Sequence, residues 1–254
     1  MKNIFDVSNK IALVTGSGQG IGNTLAKGLA ENGCTVILND IVESRLQNAV
    51  NNFLENGYKV HGEAFDVTND ELIQDKIKKI ETEIGPISIL VNNAGIQIRG
   101  PLENFEYSNW QKILNTNLTS AFLVGKAVAQ KMIGRRSGKI INICSIQSEL
   151  ARPSIAPYTA AKGGLRNLTR GMATDWGKYN IQVNGISPGY FKTEMTKALY
   201  TDEKFDAWLC GRTPANRWGD TEELLGALIF LSSQASSYVN GQLIYVDGGM
   251  TGCV

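Results

Sequence analysis

The 254-residue sequence predicts a single-domain α/β fold: one doubly wound parallel sheet of about seven strands with helices on both faces. Three observations carry that expectation. Short apolar runs alternate with amphipathic helical stretches from end to end, the pattern of strand–helix–strand units. The first strand runs straight into a glycine-rich turn, GSGQGIG at 16–22, and then into a helix. The chemistry-bearing residues fall where strands end, the edge of an open parallel sheet that carries its ligand crevice. No repeat, linker or low-complexity segment interrupts the alternation, and the length suits one domain.

Composition narrows the function classes. Apolar residues make up 43%, enough for a sizeable core, and 25 basic against 24 acidic side chains leave a net charge of +1. No field therefore favours nucleic acid or an acidic membrane surface. The four cysteines, Cys34, Cys144, Cys210 and Cys253, show no CxxC spacing, so buried thiols of a cytosolic protein are expected, not a disulfide frame. His61 is the only histidine, which argues against a zinc site or a Ser-His-Asp triad, and no metal is expected. The start, MKNIFDVSNK, lacks the apolar core of a signal peptide, and no run approaches a membrane span. A soluble cytoplasmic enzyme or binding protein is the expectation.

Taken in order, KIALVT at 10–15 is the first strand. The helix after it carries Ile21, Leu25 and Leu29 on one face and stops at Gly33. Gly16, Gly20 and Gly22, with Gln19 and Ile21 between them, fit a TGxxxGxG turn that aims backbone N–H groups at a phosphate. Alone, such a turn is equally a tight strand–helix connection. Strand two, 34–39, ends at Asp40, twenty residues after Gly20, about where an acid binds the adenosine ribose of a dinucleotide. Its charge would repel a 2′-phosphate and so favours NAD(H). NADP(H) stays open, because a basic neighbour such as Arg45 could admit that phosphate. Asp40 also fits as the N-terminal acid of a helix over 43–56, with Leu46, Val50 and Phe53 inward.

Strand three, 58–65, ends at Asp66-Val67, where an adenine ring could lie. Thr68 is expected to cap a helix carrying Ile73, Ile77, Ile80 and Ile84 and stopped by Gly85-Pro86. Strand four, 87–91, leads into Asn92-Asn93-Ala94-Gly95, amides suited to bracing backbone beside a bound ring, or a plain loop. Ser108 and Gln111 have capping-box spacing. A long helix is expected to follow through Ile113, Leu114, Leu118, Phe122 and Val124. Asn117 interrupts its apolar face, as a satisfied buried amide or as a functional one.

The stretch 139–165 is the centre of the reading. An Ile-rich strand stops at Ser145, and Pro157 opens a helix on which Tyr158 and Lys162, four apart, share a face. A phenol of ordinary pKa is a poor acid or base at neutral pH, but a nearby ammonium should lower that value. Beside a Ser hydroxyl such a Tyr passes a proton to or from a carbonyl or alcohol oxygen. An isolated YxxxK would be two ordinary helix residues; the rest of the chain points to chemistry. Strand six, 181–186, is expected to break at Ser187-Pro188-Gly189. Residues 193–217, with Trp208, fit a mobile helical flap or a surface excursion. A helix over 220–232 and a last strand over 242–246 complete the chain.

These motifs, in order and over nearly the whole chain, resemble the classical short-chain dehydrogenase/reductases: TGSGQGIG at 15–22, Asp66-Val67, NNAG at 92–95, Asn117, Ser145, YTAAK at 158–162, and Pro188-Gly189 through Thr193. The resemblance implies a Rossmann fold, a homo-oligomer (often a tetramer) and a tetrad of Asn117, Ser145, Tyr158 and Lys162. Tyr158 would be the acid/base and Ser145 would hold the substrate oxygen. Lys162 would tune Tyr158 and bind the nicotinamide ribose, and Asn117 would support a water chain. It also places Asn93, Ala94, Gly95, Pro188, Gly189 and Thr193 at the cofactor.

Longer strings, NNAGIQIR at 92–99, INICSIQSEL at 141–150, GYFKTEMTKAL at 189–199 and TPANRWG at 213–219, are similar to the gluconate 5-dehydrogenase group of that family. What this implies is reversible NAD(P)H-dependent reduction of 5-keto-D-gluconate to D-gluconate. A pocket for acyl chains should be apolar, yet the expected lining includes Gln97, Arg99, Gln147, Glu149 and Arg152. Arg99 is the first choice to grip a carboxylate, because a guanidinium forms forked pairs. Glu149 could accept sugar hydroxyls or help hold a cation, and Arg152 fits either the substrate or a rim contact. Two rivals stand beside this reading. One is the same fold acting on a 3-oxoacyl thioester or another polyol. The other is a non-catalytic dinucleotide sensor, a class that usually loses part of the tetrad, which is complete here.

Overall fold

Apolar runs of four to eight residues become strands. The computed structural model, which describes residues 3–253, contains β1 (Ile11–Val14), β2 (Thr35–Asp40), β3 (Val60–Ala64), β4 (Ile87–Asn92), β5 (Gly138–Ile143), β6 (Ile181–Pro188) and β7 (Leu243–Val246). All pair in parallel, in the order β3-β2-β1-β4-β5-β6-β7. The order reverses between β1 and β4, so their diverging connections open a crevice at the strand C-terminal ends.

Helices α1 (Gly20–Glu31), α2 (Glu43–Glu55) and α9 (Leu225–Ser232) cover one face; α3 (Asp70–Glu83), α5 (Ser120–Arg135) and α6 (Ala156–Trp176) cover the other. The period-two alternation of the strands feeds both cores. Ala12, Val14, Val36 and Leu38 go to the first, and Leu13, Ile37 and Leu90 to the second. Of the remaining helices, α4 (Tyr107–Leu114) and α7 (Lys197–Tyr200) line the crevice, and α8 (Glu203–Arg212) follows α7.

Four local expectations are corrected. Asn69, not Thr68, caps α3: its side chain accepts the Leu72 N–H at 3.1 Å, while Thr68 donates its own N–H and hydroxyl to Asp66. Ser108 forms no capping box. The helix begins a residue earlier, at Tyr107, with Glu106 as a cap that makes no side-chain bond. The long helix is two helices, α4 and α5, joined by a π-helical turn over Asn115–Thr119. The extra residue of such a turn advances the inward face, so Phe122 lies 44% exposed while Ala121 and Val124 are buried. Strand six does not break at Ser187. It pairs with β7 through Pro188. The Ile186 carbonyl turns towards β5, accepting from Cys144, whereas Gly189 donates towards β7. Pro188, two residues from Ile186, thus directs its missing donor past the end of β5, where no acceptor is lost.

A buried polar ladder stitches α6 to the sheet. Asn92 donates to Asn142 on β5, Asn142 donates to the Thr169 hydroxyl, each at 2.9 Å, and Thr169 donates to the Leu165 carbonyl. Thr169→Val keeps the volume and removes the acceptor, leaving the Asn142 amide with an unmet donor in the core. We expect a loss of about 1–3 kcal/mol, read as a lower urea midpoint at unchanged slope; an unchanged midpoint would show that the ladder contributes nothing to stability.

Candidate active site

The turn after β1 is shaped by two glycines at positive φ, Gly16 (+62°) and Gly20 (+60°). A Cβ at Gly22 would sit 2.3 Å from the Asn93 amide and 2.4 Å from the Gly16 carbonyl, so this crossing of α1 over the loop admits no side chain. Helix α1 starts at Gly20 with no side-chain cap bond and no acid in its first turn. Its leading N–H groups and partial positive charge are therefore open to an anion. Asn93 braces the loop from the neighbouring strand, donating to the Thr15 and Gly16 carbonyls at 3.0 Å, and Thr15 Oγ1 accepts the N–H groups of Asn93 and Ala94. Asn92 turns away into the helix face, donating to Asn142. Ser17 and Asn39, which the motif reading missed, hold the same loop: Ser17 donates to the Val14 carbonyl and Asn39 accepts from Gly16. This open helix end and glycine cradle fit the pyrophosphate of a dinucleotide.

Asp40, at the end of β2, is only 4% exposed. Its carboxylate is fully engaged: Oδ1 accepts the Val42 N–H at 2.9 Å and Arg45 Nη2, and Oδ2 accepts Arg45 Nε at 3.0 Å. The expected free acceptor for a ribose diol is thus held in a forked ion pair. The pairing raises the Arg45 pKa, the hydrogen bond to Asp40 being the main cause.

At the other end of the crevice, β5 delivers Ser145 and α6 delivers Tyr158 and Lys162. Pro157 occupies the first turn of α6, where its missing N–H costs nothing. Lys162 is 4% exposed, and Nζ donates to the Ile143 carbonyl at 2.6 Å. Burial pushes its pKa down to about 8. Tyr158 is the correction of most consequence. Its pKa was expected to fall under the Lys162 charge, but burial pushes it up to about 12, opposed by a hydrogen bond with Ser145. The ammonium is aimed at the Ile143 carbonyl, 5.7 Å from the centre of the Tyr158 ring. Ser145 Oγ also accepts the Gln147 N–H at 3.1 Å. Asn117, buried in the π turn, spends its side chain on structure. It accepts the Ile96 N–H at 3.0 Å and donates to the Ile96 and Ile113 carbonyls at 2.9 Å. It thereby fixes the chain leaving β4.

One cavity of about 820 Å³ joins these groups. It is lined by every sequence-nominated cofactor, tetrad and substrate residue except Glu149. Glu149 is drawn away instead, pairing with Arg166 at 2.7 Å and accepting from the Tyr245 hydroxyl at 2.8 Å. Among the described residues no group of three or more acidic, Cys or His side chains is placed to hold a metal ion. Arg99 and Arg152 both line the cavity, and neither has a carboxylate within ion-pair distance among the described residues. Burial lowers the Arg99 pKa, and the charge of Arg152 adds to the effect. Arg152 lies 5.0 Å over the Phe205 ring, and its charge opposes the rise that burial gives the Tyr190 pKa. Tyr190 is a lining residue that its place straight after Pro188-Gly189 could have flagged.

Residues 194–212 form a 3-10 turn followed by α7 and α8. Glu194, Met195, Thr196 and Leu199 of this segment line the cavity, and Leu199 and Leu209 pack in a small core with Ile146, Trp218 and Met250. Thr193 caps the turn, exchanging bonds with Thr196. No helix among the described residues is long and apolar enough to cross a membrane.

A family profile described as enoyl-(acyl carrier protein) reductase matches residues 16–251. Gluconate 5-dehydrogenase of Gluconobacter oxydans (strain 621H) is 56% identical, over 98% of this chain and 97% of its own. The 5-keto-D-gluconate 5-reductase of Escherichia coli (strain K12) is 52% identical over 98% of each. The solved structure of a gluconate 5-dehydrogenase from Burkholderia cenocepacia J2315, in complex with NADP and tartrate, aligns with a TM-score of 0.96 at 51% identity, covering 99% of this chain and 98% of that one.

Proposed function

The chain belongs to the short-chain dehydrogenase/reductase family, and from that premise we propose that it catalyses the reversible NAD(P)H-dependent reduction of 5-keto-D-gluconate to D-gluconate. The observation that carries the substrate is the pair of guanidinium groups, Arg99 and Arg152, in the cavity without a carboxylate partner. Two like charges held in one partly dehydrated wall call for an anion. A sugar-acid carboxylate supplies it through charge-assisted bonds. The names of the two curated relatives point to the same substrate.

In this reading a nicotinamide held in the cavity would supply the hydride for C5. Tyr158, protonated because burial holds its pKa high, gives its proton to the C5 oxygen. Ser145 donates to the same oxygen, and the Lys162 ammonium, below its pKa of about 8, stabilises the charge that develops there. Asn117 acts on this site as a support of the β4 exit. The segment 193–217 serves as a substrate flap on a single catalytic domain. The homotetrameric assembly and cytoplasmic setting belong to the same reading through the family resemblance.

For the cofactor we infer that NADP(H) is admitted alongside NAD(H). Asp40 is held by Arg45, so the repulsion that would reject a 2′-phosphate is largely neutralised. Arg45, which lines the cavity, keeps donors for that phosphate, and the Burkholderia cenocepacia relative was solved with NADP.

Two measurements test these readings. Arg99→Ala should lower kcat/KM for 5-keto-D-gluconate roughly 10- to 100-fold, the worth of one charged hydrogen bond, while reduction of a neutral diketone changes far less. Equal losses on both, or turnover of 3-oxoacyl thioesters in place of 5-keto-D-gluconate, would reject the carboxylate assignment. For the cofactor, Arg45→Ala should depress NADPH use relative to NADH about tenfold, and Asp40→Ala should raise that ratio. If neither variant moves the ratio, the pair does not select the cofactor.

A further inference from the structure

Arg152 is a long, charged side chain with no carboxylate among the described residues to hold it. Its main chain is fixed: Ser154 takes φ +70°, and its carbonyl accepts the Gly100 N–H at 3.1 Å, joining the Arg152 loop to the segment that carries Arg99. The side chain has no such tie. The two guanidinium groups repel each other, and rotamer freedom adds a second drive for Arg152 to swing into solvent. Yet Arg152 lines the cavity, so a further contact must keep it there.

Phe205 supplies that contact from α8. The Arg152 guanidinium carbon lies 5.0 Å from the centre of the Phe205 ring, inside the range at which a ring face attracts a cation. The ring is itself held in place. Phe205 donates its N–H to the Asp202 side chain at 3.2 Å, and Tyr190 and Trp208 pack against its ring at 5.8 and 5.2 Å between centres. Trp218, at 6.3 Å, is tied to the same helix by its Nε1, which donates to Asp206 at 2.7 Å. Phe205 is not one of the residues that line the cavity, so it acts there only through Arg152.

We propose that Phe205 is a positioning residue for an anion clamp: its ring holds the Arg152 guanidinium in the cavity wall with Arg99, so that a carboxylate meets two cations already in place. The inference rests on the reading of that pair as a carboxylate site, but not on which sugar acid fills it. A ring attracts the cation without using up its N–H donors, which stay available for a forked pair with the ligand. Order present before binding is order the ligand need not impose. No covalent step is added.

The test measures binding of tartrate, a small carboxylate probe, to the NADPH-saturated enzyme by calorimetry, with reduction of the neutral 5-keto-D-fructose as control. Phe205→Leu keeps apolar bulk and removes the ring. It should weaken tartrate about fivefold and leave kcat/KM for the neutral diketone unchanged. Phe205→Tyr restores a ring face and should recover the affinity. On an Arg152→Ala background the leucine exchange should have no further effect, a coupling that general disturbance of α8 would not produce. A wild type that does not bind tartrate, an affinity untouched in Phe205→Leu, a parallel loss on the neutral diketone, or an undiminished leucine effect in Arg152→Ala overturns the proposal. If the tartrate pattern holds and 5-keto-D-gluconate is not turned over, the positioning role stands and the sugar-acid function fails.

Discussion

The structure turns on one contact: the buried Lys162 ammonium resting on the Ile143 carbonyl at the C-terminal end of β5. Burying a charge is costly unless a good partner receives it, so this bond fixes where α6 can lie. Once the helix is placed, Tyr158, one turn earlier, must face the same side. The carbonyl of Lys162 then accepts from Ser148, which sets the turn bearing Ser145 and Gln147. Further down the helix, the Asn92–Asn142–Thr169 ladder repeats the attachment in the core. The proton donor and the oxygen-binding hydroxyl are therefore located by the same strand end.

Burial around that contact sets the protonation states. The dehydration that buries Lys162 lowers its pKa to about 8 and raises that of Tyr158 to about 12. At neutral pH the lysine is mostly charged and the phenol holds its proton, the pair of states that reduction of a ketone requires. The phenol is suited to give a proton, and the charge beside it is a stabiliser of the oxyanion, not a means of stripping the phenol in advance.

Much of this was legible in the sequence because the signals were local and periodic. The seven strands, the glycine turn, the YxxxK helix face and the gathering of Gly16, Asp40, Asn92, Ser145 and Pro188 at strand ends all follow from spacing. The losses share a cause: geometry that one-dimensional spacing does not encode. A π turn inserts one residue without disturbing composition, so α4 and α5 looked continuous and Phe122 looked inward. The Asp40–Arg45 fork spans a strand–helix turn, and spacing alone did not show that this carboxylate is paired. Glu149 lies four residues from Ser145, but the intervening 3-10 turn advances about 120° per residue, and Arg166 with Tyr245 claims its carboxylate. For Tyr158, the proximity of Lys162 in sequence said nothing of burial, which outweighs it.

The most direct test of the Lys162 contact is the pH profile of kcat/KM for 5-keto-D-gluconate reduction, measured in the wild type and in Lys162→Arg. Below its pKa of about 8 the ammonium is present to stabilise the oxyanion; above it the charge is lost, so reduction should decline there. Tyr158, at about 12, stays protonated across the range and adds no descending limb. Arginine keeps its charge throughout, so the residual activity of the variant should show no such decline. A wild-type profile flat to about pH 10, or the same decline persisting in Lys162→Arg, would contradict the account.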